Sequence, residues 1–255
     1  MHKTKHGPQS PAQEGAKNPR VKHDIYIGTY NVRTLLGDGR LTELEEELKY
    51  VKWDIIGLAE TKRRGEGILK LENGNILYTV GKADSSHAGV GFLIHKEIAN
   101  NVIEYKNISE RVAMIVLQLN NMYKVKIVQV YAPTSTYDDE AIEDMYEEIN
   151  KLLDSVPTKY TMVIGDFNAK IGTRKKGESA VMGKYGMGMR NERGDRLVEF
   201  AASKKLYIAN TKFQKKAIRK WTWKSPDRKT KKEIDYIIDY KRKHNQRCDS
   251  HEQSK

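Results

Sequence analysis

The chain has 255 residues with 46 Lys and Arg against 34 Asp and Glu, a formal net charge of +12, and is 38% hydrophobic. That length suffices for one folded unit with a substantial core, and recurring apolar-periodic segments exclude a wholly disordered chain. No apolar run is long enough to span a bilayer, no signal-peptide pattern opens the chain, and the single cysteine, Cys248, excludes an internal disulfide framework, so a soluble protein of a reducing compartment is expected.

Residues 1–24, rich in Pro, Gly, Gln, Ser and Lys without periodicity, read as a disordered basic tail. A short strand, Ile25–Tyr30, runs into Asn31. Leu41, Leu44, Leu48 and Val51 then recur at helical spacing, and Asp54–Ala59 reads as a buried strand that delivers Glu60. This β–α–β opening predicts a layered α/β fold. Strands follow at Ile76–Val80 and Gly89–Ile94, and Val112–Leu119 with Val125–Val130 form a hairpin turning on Asn120-Asn121 before delivering Tyr131. Residues 137–155 carry one apolar stripe (Ile142, Met145, Tyr146, Ile149, Leu152) behind Asp138, Asp139 and Glu140, which favour a helix N-terminus.

The buried strand Thr161–Ile164 ends on Gly165-Asp166-Phe167-Asn168. Residues 172–189 are Gly- and Lys-rich and predict a mobile loop. A helix from about Gly194 and strands at Leu206–Asn210, Trp221–Lys224 and Ile234–Ile238 complete one domain, residues 25–239, with 240–255 as an irregular tail.

Asn31, Glu60, Tyr131, Asp166 and Asn168 all follow apolar strands. In layered α/β sheets ligands bind beyond the carboxyl ends of strands, so these groups can converge there. An extended backbone would point Asp166 and Asn168 the same way. Two carboxylates and an amide suit a hard, oxygen-liganded ion such as Mg²⁺. Singly, each has a plainer reading: Asn31 as a turn cap, Glu60 as a solvated acid, Tyr131 as a rim aromatic, Asp166 as the start of an Asx-turn. Their recurrence at successive strand ends is what favours a site.

The positive charge is concentrated. Residues 212–247 hold 14 Lys and Arg against 4 Asp and Glu, and within them Trp221 and Trp223 interleave with Arg219, Lys220 and Lys224. Such a segment suits phosphate contact beside stacking, although charge alone does not separate this from a solvated basic loop.

Five motifs in order, Gly28-Thr-Tyr-Asn31-Val-Arg-Thr, Ile55-Ile-Gly-Leu-Ala-Glu60-Thr, Val130-Tyr131-Ala-Pro-Thr, Gly165-Asp166-Phe-Asn168 and Ile234-Asp235-Tyr-Ile, resemble the endonuclease/exonuclease/phosphatase superfamily across residues 24–239. More narrowly, Thr-Tyr-Asn-Val-Arg-Thr-Leu and Asn191-Glu-Arg-Gly are similar to the endonuclease domains of RTE-type non-LTR retrotransposons and to craniofacial development protein 2 chains related to them. The resemblance implies a DNase-I-like two-sheet α/β sandwich flanked by helices, and a Mg²⁺- or Mn²⁺-dependent DNA endonuclease. It implies that Glu60 binds the metal with Asn31 in support, that Asp166 activates water, and that Asn168 and Tyr131 hold the phosphate. By the same resemblance Thr222 contacts a phosphate, and Asp235 orients a catalytic histidine. The implied setting is a monomer acting on DNA, without a membrane, in the nucleus or else the cytoplasm.

The family ends on Ser-Asp-His and a last core strand. After Asp235 this sequence offers only His244 and the permuted Asp249-Ser250-His251. A domain lacking its last strand, with impaired catalysis, is therefore expected. The competing readings are a non-catalytic nucleic-acid-binding protein and a small-molecule phosphodiesterase or inositol phosphatase. Abasic-site repair fits less well, because Arg33 stands where repair relatives carry Asp or Asn.

Overall fold

The structure, a computed structural model, describes residues 24–240 apart from position 226. Apart from Asp24 and from Tyr240, which ends a strand, the two expected tails, including His244 and His251, lie outside the described residues.

The chain opens with β1 (Ile27–Asn31), α1 (Asp38–Leu48) and β2 (Ile55–Ala59), a β–α–β unit whose strands pair in parallel with Asn31 opposite Ala59. Next come β3 (Glu66–Lys70), β4 (Ile76–Val80) and β5 (Val90–Ile94), giving a five-stranded sheet in the order β1-β2-β5-β4-β3. After the short α2 (Lys96–Ala99), β6 (Val102–Ser109), β7 (Val112–Asn120) and β8 (Tyr123–Tyr131) run as an antiparallel meander. The helix α3 (Asp139–Ser155) crosses over to β9 (Tyr160–Asp166), parallel to β8. The rest is α4 (Glu192–Ser203), β10 (Leu206–Ile208), a two-stranded hairpin of β11 (Trp223–Lys224) and β12 (Lys231–Lys232), and β13 (Asp235–Tyr240). Strand β13 inserts between β9 and β10, so the second sheet reads β10-β13-β9-β8-β7-β6.

Strand periodicity explains the layering. Along β7, Ala113, Ile115 and Leu117 face the five-stranded sheet, while Val112, Met114 and Val116 pack toward α3 and α4. Both faces are covered, which is why the strand reads as an unbroken apolar run. Ile56, Leu58, Leu77 and Leu93 cover the opposite sheet's outer face beneath Leu41 and Leu44 of α1. The result is helix, sheet, sheet, helix. Gly57 is the tight point between the sheets: a Cβ there would fall 1.9 Å from Oε1 of Gln129, a buried amide that crosses from β8 to accept from Thr29.

Two expectations change. The segment 172–189 reads as mobile, yet Arg190, its side chain 6% exposed, grips it by donating to both Glu178 oxygens (2.6 and 2.7 Å) and to the Ile171 carbonyl (2.6 Å). Val181 and Met182 are buried, and Met182 bridges to Ile208. Glycine content gives no sign of this, because the anchor lies just beyond the glycine-rich stretch. Two strands are also absent from the sequence pattern. All of β3 is exposed, and β6 is polar and interrupted by bulges, so neither shows apolar alternation.

Candidate active site

Register assembles the polar groups into two facing rows. In the six-stranded sheet Tyr131 pairs with Asp166, and Asp166 with Asp235. On the five-stranded sheet Asn31 ends β1, and Glu60 follows β2. The Asn31 amide joins the rows: its Nδ2 donates to Glu60 Oε1 at 2.7 Å and to Asp166 Oδ2 at 3.0 Å. Its Oδ1 accepts from the Arg33 N–H at 2.9 Å. The turn-cap and site readings of Asn31 thus hold together in one side chain.

Asp166 is buried and also accepts from the Asn168 N–H at 2.9 Å. Burial pushes its carboxyl up to about 6 against the pull of those two donors, and the Glu60 charge adds to the rise. Asp235 is buried in the same wall. Burial and the neighbouring Asp166 charge raise its carboxyl well above the usual range, while Thr222 opposes the rise. Among the described residues nothing hydrogen-bonds Asp235 Oδ1. The Tyr131 phenol faces Glu60, and burial followed by the Glu60 and Asp166 charges raises it too.

Asn168 corrects the extended-backbone expectation. The strand stops at Asp166 and Asn168 adopts φ 48°, so its side chain turns away to donate to the Ala132 carbonyl at 2.8 Å. Arg33 (φ 58°), Glu60 (φ 57°) and Lys62 (φ 55°) share that left-handed conformation, unusual for residues other than glycine and a common mark of functional loops.

Asn31, Glu60, Asp166 and Asp235 line a small cleft of about 30 Å³ with Arg33, Thr222, Trp223 and Ile234, while Tyr131 and Asn168 lie outside its lining. The donor set is all oxygen, and an orphaned buried carboxylate oxygen beside two further acids is a site short of positive charge. Among the described residues, no three His, Cys, Asp or Glu side chains are grouped so as to hold a metal ion. Few protein ligands and several waters is the usual arrangement for Mg²⁺, so Glu60 and Asp166 fit a hydrated divalent cation with Asn31 as their clamp.

The basic segment meets this cleft through its hairpin. Thr222 Oγ1 accepts from the Ile234 and Asp235 N–H groups at 3.1 and 3.2 Å, which seats the hairpin against β13. Lys231 lies 4.7 Å from the centre of the Trp221 ring and Lys232 4.8 Å from that of Trp223. Arg219 is exposed and Lys224 half-buried. Lys220 departs from the expectation of a phosphate contact: it is buried, donates to the Tyr185 carbonyl, and faces Glu233, whose carboxyl burial pushes up to about 7 against the Lys220 charge. Its role is to tie the basic segment to the 172–189 loop. Arg33, by contrast, enters the cleft although charge and spacing alone do not single it out. Its signals in the sequence are its place in the first motif and the two-residue step from Asn31 in an Asx-turn.

The Endonuclease/Exonuclease/phosphatase family model matches residues 28–238. Craniofacial development protein 2 from Bos taurus is 34% identical over 218 residues, covering 85% of this chain and 36% of that protein. The chain therefore spans about a third of the length of the curated relatives it matches. Among solved structures, a 3′ phosphatase from Neisseria bound to a product DNA hairpin is similar at TM-score 0.56 and 14% identity, covering 85% of this chain and 87% of that one. TDP2 from D. rerio complexed with a single-strand DNA product is similar at TM-score 0.58 and 12% identity, covering 86% and 84%. These likenesses give the fold: a DNase-I-like two-sheet sandwich.

Proposed function

Because the chain belongs to the endonuclease/exonuclease/phosphatase family, we propose that it is a divalent-metal-dependent phosphodiester hydrolase that nicks DNA, derived from a retrotransposon endonuclease. The observation that carries this reading is the single amide of Asn31 holding Glu60 and Asp166 together beside the orphaned Asp235 oxygen. Glu60 and Asp166 would hold Mg²⁺ or Mn²⁺, which when bound supplies positive charge to a phosphate oxygen. Asp166, held in place by the Asn31 amide and the Asn168 N–H, would accept the proton of the attacking water. Asn31 fixes both acids, Tyr131 offers its hydroxyl at the Glu60 side, and Arg33 and Thr222 lie where a phosphate would enter. The exposed cations around the β11–β12 hairpin favour a polymeric anion over a small one, and with DNA as the proposed substrate the setting we propose is the nucleus, with the cytoplasm as the alternative.

A second reading, a nucleic-acid-binding protein without catalysis, draws support from the exposed cations around the hairpin, which can hold a polyanion without chemistry at the acids. Purified protein incubated with supercoiled plasmid separates the two. Nicking that needs Mg²⁺ or Mn²⁺, stops with chelator and falls at least about 100-fold in Asp166→Asn supports the hydrolase. Plasmid retention without metal-dependent nicking supports the binder.

A further inference from the structure

Arg111 sits in the turn between β6 and β7 with its side chain 13% exposed. Its guanidinium carbon lies 5.6 Å from the centre of the Tyr131 ring and 4.7 Å from that of Tyr137. One cation is therefore shared by two aromatic rings. The inner ring, Tyr131, is buried in the candidate site, while the outer ring, Tyr137, is 44% exposed. Nη1 of Arg111 also donates to the Tyr131 carbonyl at 3.4 Å, and the Tyr131 N–H donates to the Arg111 carbonyl at 2.9 Å.

Every member of this stack is held from behind. The Arg111 N–H donates to Ser109 Oγ at 3.1 Å, and that hydroxyl donates to Glu148 of α3 at 2.6 Å. The Tyr137 N–H closes a turn onto the Thr134 carbonyl at 3.0 Å, and its own carbonyl accepts from Arg193 at 2.9 Å. Nearby acids have partners: Asp138 caps α3 at the Ala141 N–H, and Asp139 pairs with Arg193 at 3.0 Å. An aromatic ring fixed through a cation to the site's own tyrosine, yet nearly half open to water, is preorganised to receive another flat group.

We propose that Tyr137 is a stacking platform for a nucleobase beside the scissile phosphodiester, with Arg111 as the positioning residue that fixes the platform to Tyr131. The assignment rests on the hydrolase reading above and narrows its substrate to a nucleic-acid strand with an accessible base. Stacking on a ring is tolerant of base identity, so contact here is sequence-independent.

A single-stranded oligonucleotide carrying 2-aminopurine, titrated with the protein in Ca²⁺, reads both affinity and stacking. The parent should bind and quench the probe. Tyr137→Ala should lose about ten-fold in affinity and most of the quench, and Tyr137→Trp should restore both. Arg111→Met should lose a similar factor, with the double variant Arg111→Met/Tyr137→Ala no weaker than either single one. Binding by Tyr137→Ala within about two-fold of the parent, quench intact, overturns the platform while leaving the hydrolase reading standing. A parent that binds no oligonucleotide overturns the nucleic-acid reading and the platform with it.

Discussion

Asp166 carries the balance between stability and function at the scale of one residue. Burial raises its carboxyl from 3.8 to about 6, so between those values the folded chain keeps a proton that the unfolded chain has lost. The stabilisation this provides is full below pH 3.8 and gone once the pH passes about 6. Asn imitates the protonated acid. Asp166→Asn should therefore match the parent at pH 4 and exceed it at pH 8 by on the order of 2 kcal/mol, several degrees in Tm. Urea unfolding at the two pH values checks this, and equal stability at both would mean the burial is relieved some other way. Most of the site is legible in the sequence at this scale, because a polar residue ending an apolar strand is visible in a string of letters. Orientation is not. Asn168 turns away through a positive φ, Lys220 turns inward to a carbonyl, and Arg111 reaches the site from a hairpin far along the chain.

Among the elements, the segment 172–189 shows how one side chain can replace secondary structure. Arg190 satisfies both oxygens of Glu178 and also meets Asp195 at 3.3 Å. Removing it leaves a partly buried carboxylate without its donor. Arg190→Ala should cost about 2–3 kcal/mol and open residues 172–189 to trypsin before the rest of the domain unfolds. Cleavage there at the parent's rate would show that Met182 and the Val181 neighbourhood suffice as anchors. Helices are the elements best marked in the sequence. The apolar stripe of α3 and the Asp138 cap stand where expected, because helix signals are local. The edge strands β3 and β6 are not marked, because a strand covered on neither face or only in part needs no apolar pattern.

At the scale of the whole molecule, sandwich topology and charge distribution meet at one rim. Exposed Lys216, Arg228, Lys229 and Lys231 surround the hairpin that carries Thr222 and Trp223 into the cleft. Replacing those four with Gln should weaken DNA binding across sequences and flatten the plot of log affinity against log salt by about 0.9 for each phosphate no longer neutralised. An unchanged slope would turn this rim away from the nucleic acid. The layered α/β architecture follows from the β–α–β opening, but the insertion of β13 between β9 and β10 does not, since nothing in a strand's own sequence names its neighbours. That insertion has a consequence in time. Asn31, Glu60, Tyr131 and Asp166 leave the ribosome well before Asp235, and beyond the single bridge to Met182, β10 has no strand partner until β13 arrives. The domain therefore stays open along one side throughout most of its synthesis, and the acids gathered by Asn31 gain Asp235 as their neighbour only when β13 threads home.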